Sequence, residues 1–153
     1  MPPLAPVFAI PAMRARIAVI ATSYRRLTGR ALAADDSAEA LWAARRVIVA
    51  HDIAPDPIFF FGNLAALRCF ETPLETFLAT PSRLSAEPGL REARQAALDR
   101  VARDGFVDGY EGVRVSATGR RFRIEGATIW NLVDADGASH GQAAAFEKWA
   151  ALP

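Results

Sequence analysis

"FVDGYEGVRVSATGRRFRIEGATIWNL" (106–132) decides how the rest of the chain is read. On either side of "SATG" (116–119) apolar and polar residues alternate, the period of strands whose two faces meet different surroundings. "SATG" is a turn sequence, so the two halves are expected to fold back as an antiparallel hairpin. If the turn is tight, Val113 stands opposite Phe122 and Arg114 opposite Arg121. Val113, Phe122 and Ile124 then point inward, while Tyr110, Arg114, Arg121, Arg123 and Glu125 point to the other face. Arginines facing each other repel unless an acid intervenes, such as Glu111, Glu125 or a group on a partner chain. This arginine face fits a solvated surface with local ion pairs, and it also fits a site for an anionic partner.

The pattern continues on both sides. "DADG" (134–137) is a second turn, and "HGQAAAFEKW" (140–149) reads as a third strand. Upstream, "RVIVAHD" (46–52) and "DPIFFFGN" (56–63) are short β-branched and aromatic strands. Between the two strand groups lie helical segments. Asn63 suits the N-cap of "LAALRCF", and Thr72-Pro73-Leu74-Glu75 reads as a helix start with threonine as cap. "TPSRLSAEP" (80–88) is a loop, with Ser85 or Glu87 available to cap a helix that begins at Pro88 and stops at Gly105. At the N-terminus, Met13, Ile17, Ile20, Tyr24 and Leu27 recur at spacings of three and four, predicting a helix over 12–28 closed by Gly29. A second helix is expected from Asp36, with Asp36 and Glu39 in capping-box spacing. Residues 1–11 are rich in proline and are expected to form a flexible arm.

The totals narrow the function classes. The chain has 153 residues, enough for one core, so 12–153 is expected to be a single domain. Eighteen basic residues against seventeen acidic ones argue against a general nucleic-acid binder. One cysteine and two histidines rule against a structural metal cluster, and no metal is expected. No apolar stretch has the length of a membrane span, and the N-terminus lacks the basic start of a signal peptide, so a cytoplasmic protein is expected.

Strands, then helices, then strands indicate an α+β fold with an antiparallel sheet. This is the order of a PAS-type domain: five strands, helices on one face and an N-terminal helix. From Ser23 to Trp149 the chain resembles the MEKHLA family, whose fold is PAS-like. "SYRRLTGR" (23–30), "DPIFFFGN" (56–63), "PSRLSAEP" (81–88), "ARDGFVDGYEGVRVSATGRRFRIEGATIWNL" (102–132) and "GQAAAF" (141–146) carry the resemblance. The family includes short bacterial and algal proteins and the C-terminal region of plant homeodomain-leucine zipper factors. Lacking a homeodomain and zipper heptads, this chain looks like the stand-alone bacterial form.

The resemblance implies a regulatory or sensory module rather than an enzyme. PAS-like domains hold a small molecule between sheet and helices, or dimerise through the outer sheet face and an N-terminal helix. For the first use, Arg83 with Ser82 and Ser85 borders the expected pocket, and Asn63, Asn131 and Gln142 supply amides; loop stapling is the competing role for Arg83. For the second, the stripe Met13, Ile17, Ile20, Tyr24 and Leu27 is expected to build a homodimer, or else to cover its own sheet and leave a monomer, with Arg121 and Arg123 at its edge in either case. The many phenylalanines favour a filled core and a protein-interaction module. A third reading is a small enzyme using His51 and Asp56, without an accompanying nucleophile or oxyanion motif. The cofactor is unknown. Light-sensing relatives carry a reactive cysteine where Ser82 stands, and Cys69 falls on the apolar face of a helix, which argues against covalent flavin chemistry. Any output must pass through another chain.

Overall fold

Proline at the first helical position and glycine past the last frame the longest helix. The computed structural model describes residues 2–86 and 91–153. The chain order is α1 (Pro6–Ala9), α2 (Pro11–Thr28), α3 (Ala38–Ala43), β1 (Val47–His51), β2 (Phe59–Gly62), α4 (Leu64–Phe70), α5 (Leu74–Phe77), a 3-10 turn (Ser82–Ser85), α6 (Arg91–Asp104), β3 (Phe106–Val115), β4 (Arg121–Val133), β5 (Ser139–Phe146) and β6 (Lys148–Ala151). Gly29 closes α2 in the left-handed region, at φ 74°, and its N–H donates to the Arg25 carbonyl. The helix start expected at Pro88, with Glu87 as one possible cap, lies outside the described residues.

The sheet is antiparallel in the order β2-β1-β5-β4-β3, and β6 pairs with β4. β5 takes Thr128–Val133 of β4 and β6 takes Phe122–Glu125. The expected strand 140–149 is therefore two strands interrupted at Glu147, and the sheet has six strands instead of five.

The N-terminal helices cover one face of the sheet and the later helices the other. On the outer face α1, α2 and α3 bury Phe8, Ile17, Ile20, Tyr24, Leu41 and Trp42 against Ile48, Phe61, Trp130, Leu132 and Ala145. On the inner face α4, α5 and α6 lie over Val49, Phe59, Phe122, Ile124, Ile129 and Phe146. The stripe of α2 is thus spent inside its own chain. Ile17 and Ile20 are fully buried, which stabilises the fold by about 1.5–3 kcal/mol each. The Trp130 indole donates to the Ile20 carbonyl at 3.1 Å, and the Ser23 hydroxyl exchanges two hydrogen bonds with the Val133 backbone. A dimer built on this stripe would have to take it from the sheet. Nor do Arg121 and Arg123 border α2. They are exposed at the start of β4, whereas α2 meets β4 at its far end, through Trp130 and Val133; Arg121 donates to the Pro153 carbonyl.

Within the expected flexible arm, the described residues 2–11 are a built part of the domain. Phe8 is wholly buried, 5.8 Å from the Trp42 ring and 4.9 Å from that of Phe61, and the Trp42 indole donates to the Pro3 carbonyl. Two caps also differ from expectation. Ser37, not Asp36, caps α3 by accepting from the Ala40 N–H, while Asp36 pairs with Arg25. Thr72 caps nothing, since α5 begins without a side-chain cap.

The hairpin register is one residue from the expected one. Arg114 stands opposite Phe122, and Val115 opposite Arg121. The connection from Ser116 to Arg120 is longer than a tight turn, and Gly119 completes it at φ 86°. A one-residue slip exchanges the faces of a strand. Arg114 and Tyr110 therefore go to the inner face, where Arg114 is buried, and Val113 leaves it.

Candidate functional site

Between the inner sheet face and α4, the 3-10 turn and α6 lies a cavity of about 50 Å³. Val49, Phe59, Phe70, Ile124, Ile129 and Phe146 give it apolar walls. Into these walls the fold sets His51, Ser85, Arg94, Arg114 and Gln142.

His51 ends β1, just beyond a register shift in its pairing with β2. Its Nδ1 lies 3.0 Å from the Asp52 carbonyl oxygen. A carbonyl only accepts, so Nδ1 carries the proton and Nε2 keeps a lone pair. Nε2 is buried without a hydrogen-bond partner among the described residues. Burial is the main reason the imidazole is held below its ordinary pKa; the Asp52 carbonyl opposes the shift and Arg94 adds to it. The ring is therefore a neutral acceptor. Gly141 makes room for this strand end: a Cβ there would sit 1.9 Å from the His51 carbonyl oxygen, and its φ of 119° disfavours any side chain.

Arg114 is 8% exposed. Its Nη1 donates to the Val113 carbonyl at 3.0 Å and its Nη2 to the Tyr110 hydroxyl at 3.2 Å. No carboxylate pairs with it among the described residues. Ala86 bridges to the backbone of Arg114, fixing the 3-10 turn to the sheet edge. Gly112 leaves space for the pair, since a Cβ there would lie 2.6 Å from the Tyr110 hydroxyl and 3.0 Å from Arg114 Nη1.

The structure separates the expected ligand residues. Ser85 and Gln142 line the cavity, and Ser85 donates to the Ser82 carbonyl. Gln142 and Asn131 fasten α6 to the sheet: Gln142 Nε2 donates to the Leu98 carbonyl and to Asn131 Oδ1, and Asn131 Nδ2 donates to the Val101 carbonyl. Ser82 accepts from Arg94. Asn63 is removed from any ligand role. Wholly buried, it accepts from the Ile48 and Ala66 N–H groups and donates to the Leu41 and Arg46 carbonyls. Arg83, the leading candidate from sequence, points outward. It is half exposed and grips Asp56 with two hydrogen bonds of 3.0 and 3.3 Å. Both flank a surface cleft that shares His51, Arg94, Leu98 and Gln142 with the cavity. Asp56 is thus engaged by Arg83 while His51 turns to the Asp52 carbonyl, and no acid–base pair forms between them.

Sequence reasoning missed Arg114. Its signal was the clash in the assumed register, which set Arg114 against Arg121. Cys69 is buried, and burial, with Glu71 adding to it, pushes its thiol up to about 12. Among the described residues no cluster of three metal-ligating side chains occurs, and no helix is long and apolar enough to cross a membrane.

The sequence from residue 14 to 151 matches the MEKHLA domain. The chain belongs to the MEKHLA domain family. Among curated proteins it is 28% identical over 136 residues to the homeobox-leucine zipper protein HOX33 of rice, covering 85% of this chain and 16% of that protein. It is 30% identical over 129 residues to REVOLUTA of Arabidopsis thaliana, covering 80% and 15%. The MEKHLA chain thus spans under a fifth of these plant relatives. Among solved structures it is similar to a PAS domain from Colwellia psychrerythraea, with a TM-score of 0.62 at 17% identity over 75% of this chain and 92% of that one. A Rhodobacter sphaeroides LOV protein gives 0.58 at 13%, over 69% and 60%. The fold is accordingly PAS-like, as the element order implied.

Proposed function

We propose that this MEKHLA domain is a sensory module that admits a small ligand to the cavity beneath α6 and reports its presence by changed association with a partner chain. The observation that carries the reading is the cavity itself, largely apolar in its walls yet holding His51 Nε2, a buried acceptor without a hydrogen-bond partner among the described residues. The wall that can respond is α6. It holds to the sheet through Ala97, Val101 and Ile129 and through the amide bonds of Gln142 and Asn131 to its backbone. A ligand entering beside Leu98 competes with those bonds, shifting α6 between two seatings. The outer side of α6, with Glu92, Gln95, Asp99, Arg100 and Arg103, offers a polar surface to a partner.

Native mass spectrometry of freshly purified protein tests this reading. A retained small molecule, released on denaturation, supports it. The competing reading is an interaction module with a filled core. Its support is the small cavity and the phenylalanines beside it: Phe59 stacks on Phe77 at 4.4 Å, and Phe70 meets Phe122 edge-on. A bare chain, whose hydrogen-exchange pattern stays constant across a library of small molecules, would replace the sensory reading with that one.

A further inference from the structure

We infer that the ligand of this cavity is a small monocarboxylic acid with an apolar carbon skeleton and one hydroxyl or N–H donor, its carboxylate on Arg114 and its donor on His51 Nε2. The inference rests on the ligand-binding reading above and names the chemistry of that same site.

Two unspent groups face one cavity and ask for opposite things. Arg114 offers N–H donors and a positive charge. Its hydrogen-bond partners among the described residues are a phenol and a carbonyl, both neutral, so no described carboxylate compensates its charge. Burying a cation without an anion is costly unless a charged partner arrives, and a planar guanidinium fits a carboxylate by paired hydrogen bonds. His51 Nε2 is the converse, a buried lone pair without a donor. A buried acceptor left unmade is similarly penalised, and only a ligand O–H or N–H answers it. Apart from Ser85, Gln142 and Arg94, which hold the Ser82 carbonyl, Asn131 with the Leu98 carbonyl, and the Ser82 hydroxyl in turn, the lining is aliphatic and aromatic, which favours an apolar skeleton. The volume of about 50 Å³ is too small for such an acid as the cavity stands, so binding requires the outward shift of α6 that the sensory reading invokes. The surface cleft that shares His51, Arg94 and Gln142 with the cavity supplies the route, with the Arg83–Asp56 pair at its rim.

The test uses the full chain and two probes, 3-hydroxybutyrate and 3-hydroxybenzoate, titrated by calorimetry and by NMR of the His51 ring. Butyrate and benzoate lack the donor; 3-hydroxybutyramide and 3-hydroxybenzamide lack the charge. At least one hydroxy acid is expected to bind about tenfold or more tighter than both of its controls, the worth of one charge-assisted or buried hydrogen bond. Arg114→Gln should abolish the preference for acid over amide and Arg114→Lys should retain it. His51→Phe should abolish the preference for hydroxy acid over plain acid, while Arg83→Ala should leave both preferences in place. Thermal melting of each variant confirms that it is folded, and the Lys and Phe variants keep the test alive if Arg114→Gln is not. Controls that bind as well as the hydroxy acids overturn the assigned chemistry and leave the sensory reading standing. The same holds if no probe binds and the freshly purified protein retains a molecule that is neutral or has no donor. If no probe binds and no molecule is retained, both fail together.

Discussion

Asn63→Ala should cost the domain about 4 kcal/mol of stability while leaving the chemistry of the cavity alone. The residue is wholly buried and joins four elements: β1 through the Ile48 N–H, α4 through the Ala66 N–H, α3 through the Leu41 carbonyl, and the α3–β1 link through the Arg46 carbonyl. Loss of the N-cap at α4 costs about 1 kcal/mol. The Ile48 N–H and the two carbonyls lose their partner in the interior, at about 1–3 kcal/mol each. Water entering the vacated space recovers part of that sum, because the site is polar. For a domain of this size the loss corresponds to a fall in Tm of roughly 10 °C. Urea unfolding followed by circular dichroism measures it, with an unchanged slope showing that the unfolded reference is the same. Asn63→Asp keeps both acceptor roles but faces two carbonyl oxygens with a carboxylate, so it should be no more stable than the alanine variant. A loss below about 1.5 kcal/mol would reduce Asn63 to a helix cap and refute the reasoning. So would a normally stable variant that had lost its ligand.

The remaining expectations are as direct. Ile17→Glu should unfold the chain instead of separating a dimer, costing about 4 kcal/mol or more, because Ile17 is fully buried in its own core; a folded variant with unchanged melting, seen by circular dichroism, would return the α2 stripe to the list of interfaces. Cys69 should resist thiol reagents, since at pH 8 a thiol pushed up to about 12 is ionised in only about one molecule in ten thousand; stoichiometric labelling by a disulfide reagent without denaturant would contradict that. His51 should make the fold acid-sensitive. Its folded pKa is depressed, mainly by burial, so its contribution is complete above its unfolded value of about 6.5 and is lost as pH falls through the folded value. Stability of His51→Phe measured from about pH 7 to about pH 5 should fall less than that of the native chain, and an identical slope would show that the ring is not desolvated.

Much of the fold was legible because local chemistry and tertiary demand agreed. The apolar spacing of α2, ended by Gly29, places that helix to within a residue, and Asn63 caps α4 as its position before "LAALRCF" indicates. The misreadings arose where a distant partner decides. Nothing within residues 1–11 shows that Phe8 is wanted by Trp42 and Phe61, which come from elements far along the chain. Strand period assigns two faces to β3 but not which face is inside. That depended on a connection one residue longer than a tight turn, and the slip carried Arg114 across the sheet.

The same slip explains why Arg83, and not Arg114, stands out in the sequence. In sequence, Arg83 stands out because its loop borders the pocket. A loop arginine, however, finds an acid cheaply in water, and Arg83 has Asp56. Arg114 looked like one member of a solvated strand face. Its significance appears only when the sheet closes over it and provides a tyrosine hydroxyl and a carbonyl where a carboxylate would be expected. Stability alone gives no reason to keep that arrangement, since an apolar residue opposite Phe122 would bury more cheaply. A cation that the fold holds at such a cost, lining the same cavity as an acceptor without a donor among the described residues, is where the ligand-binding proposal looks for function.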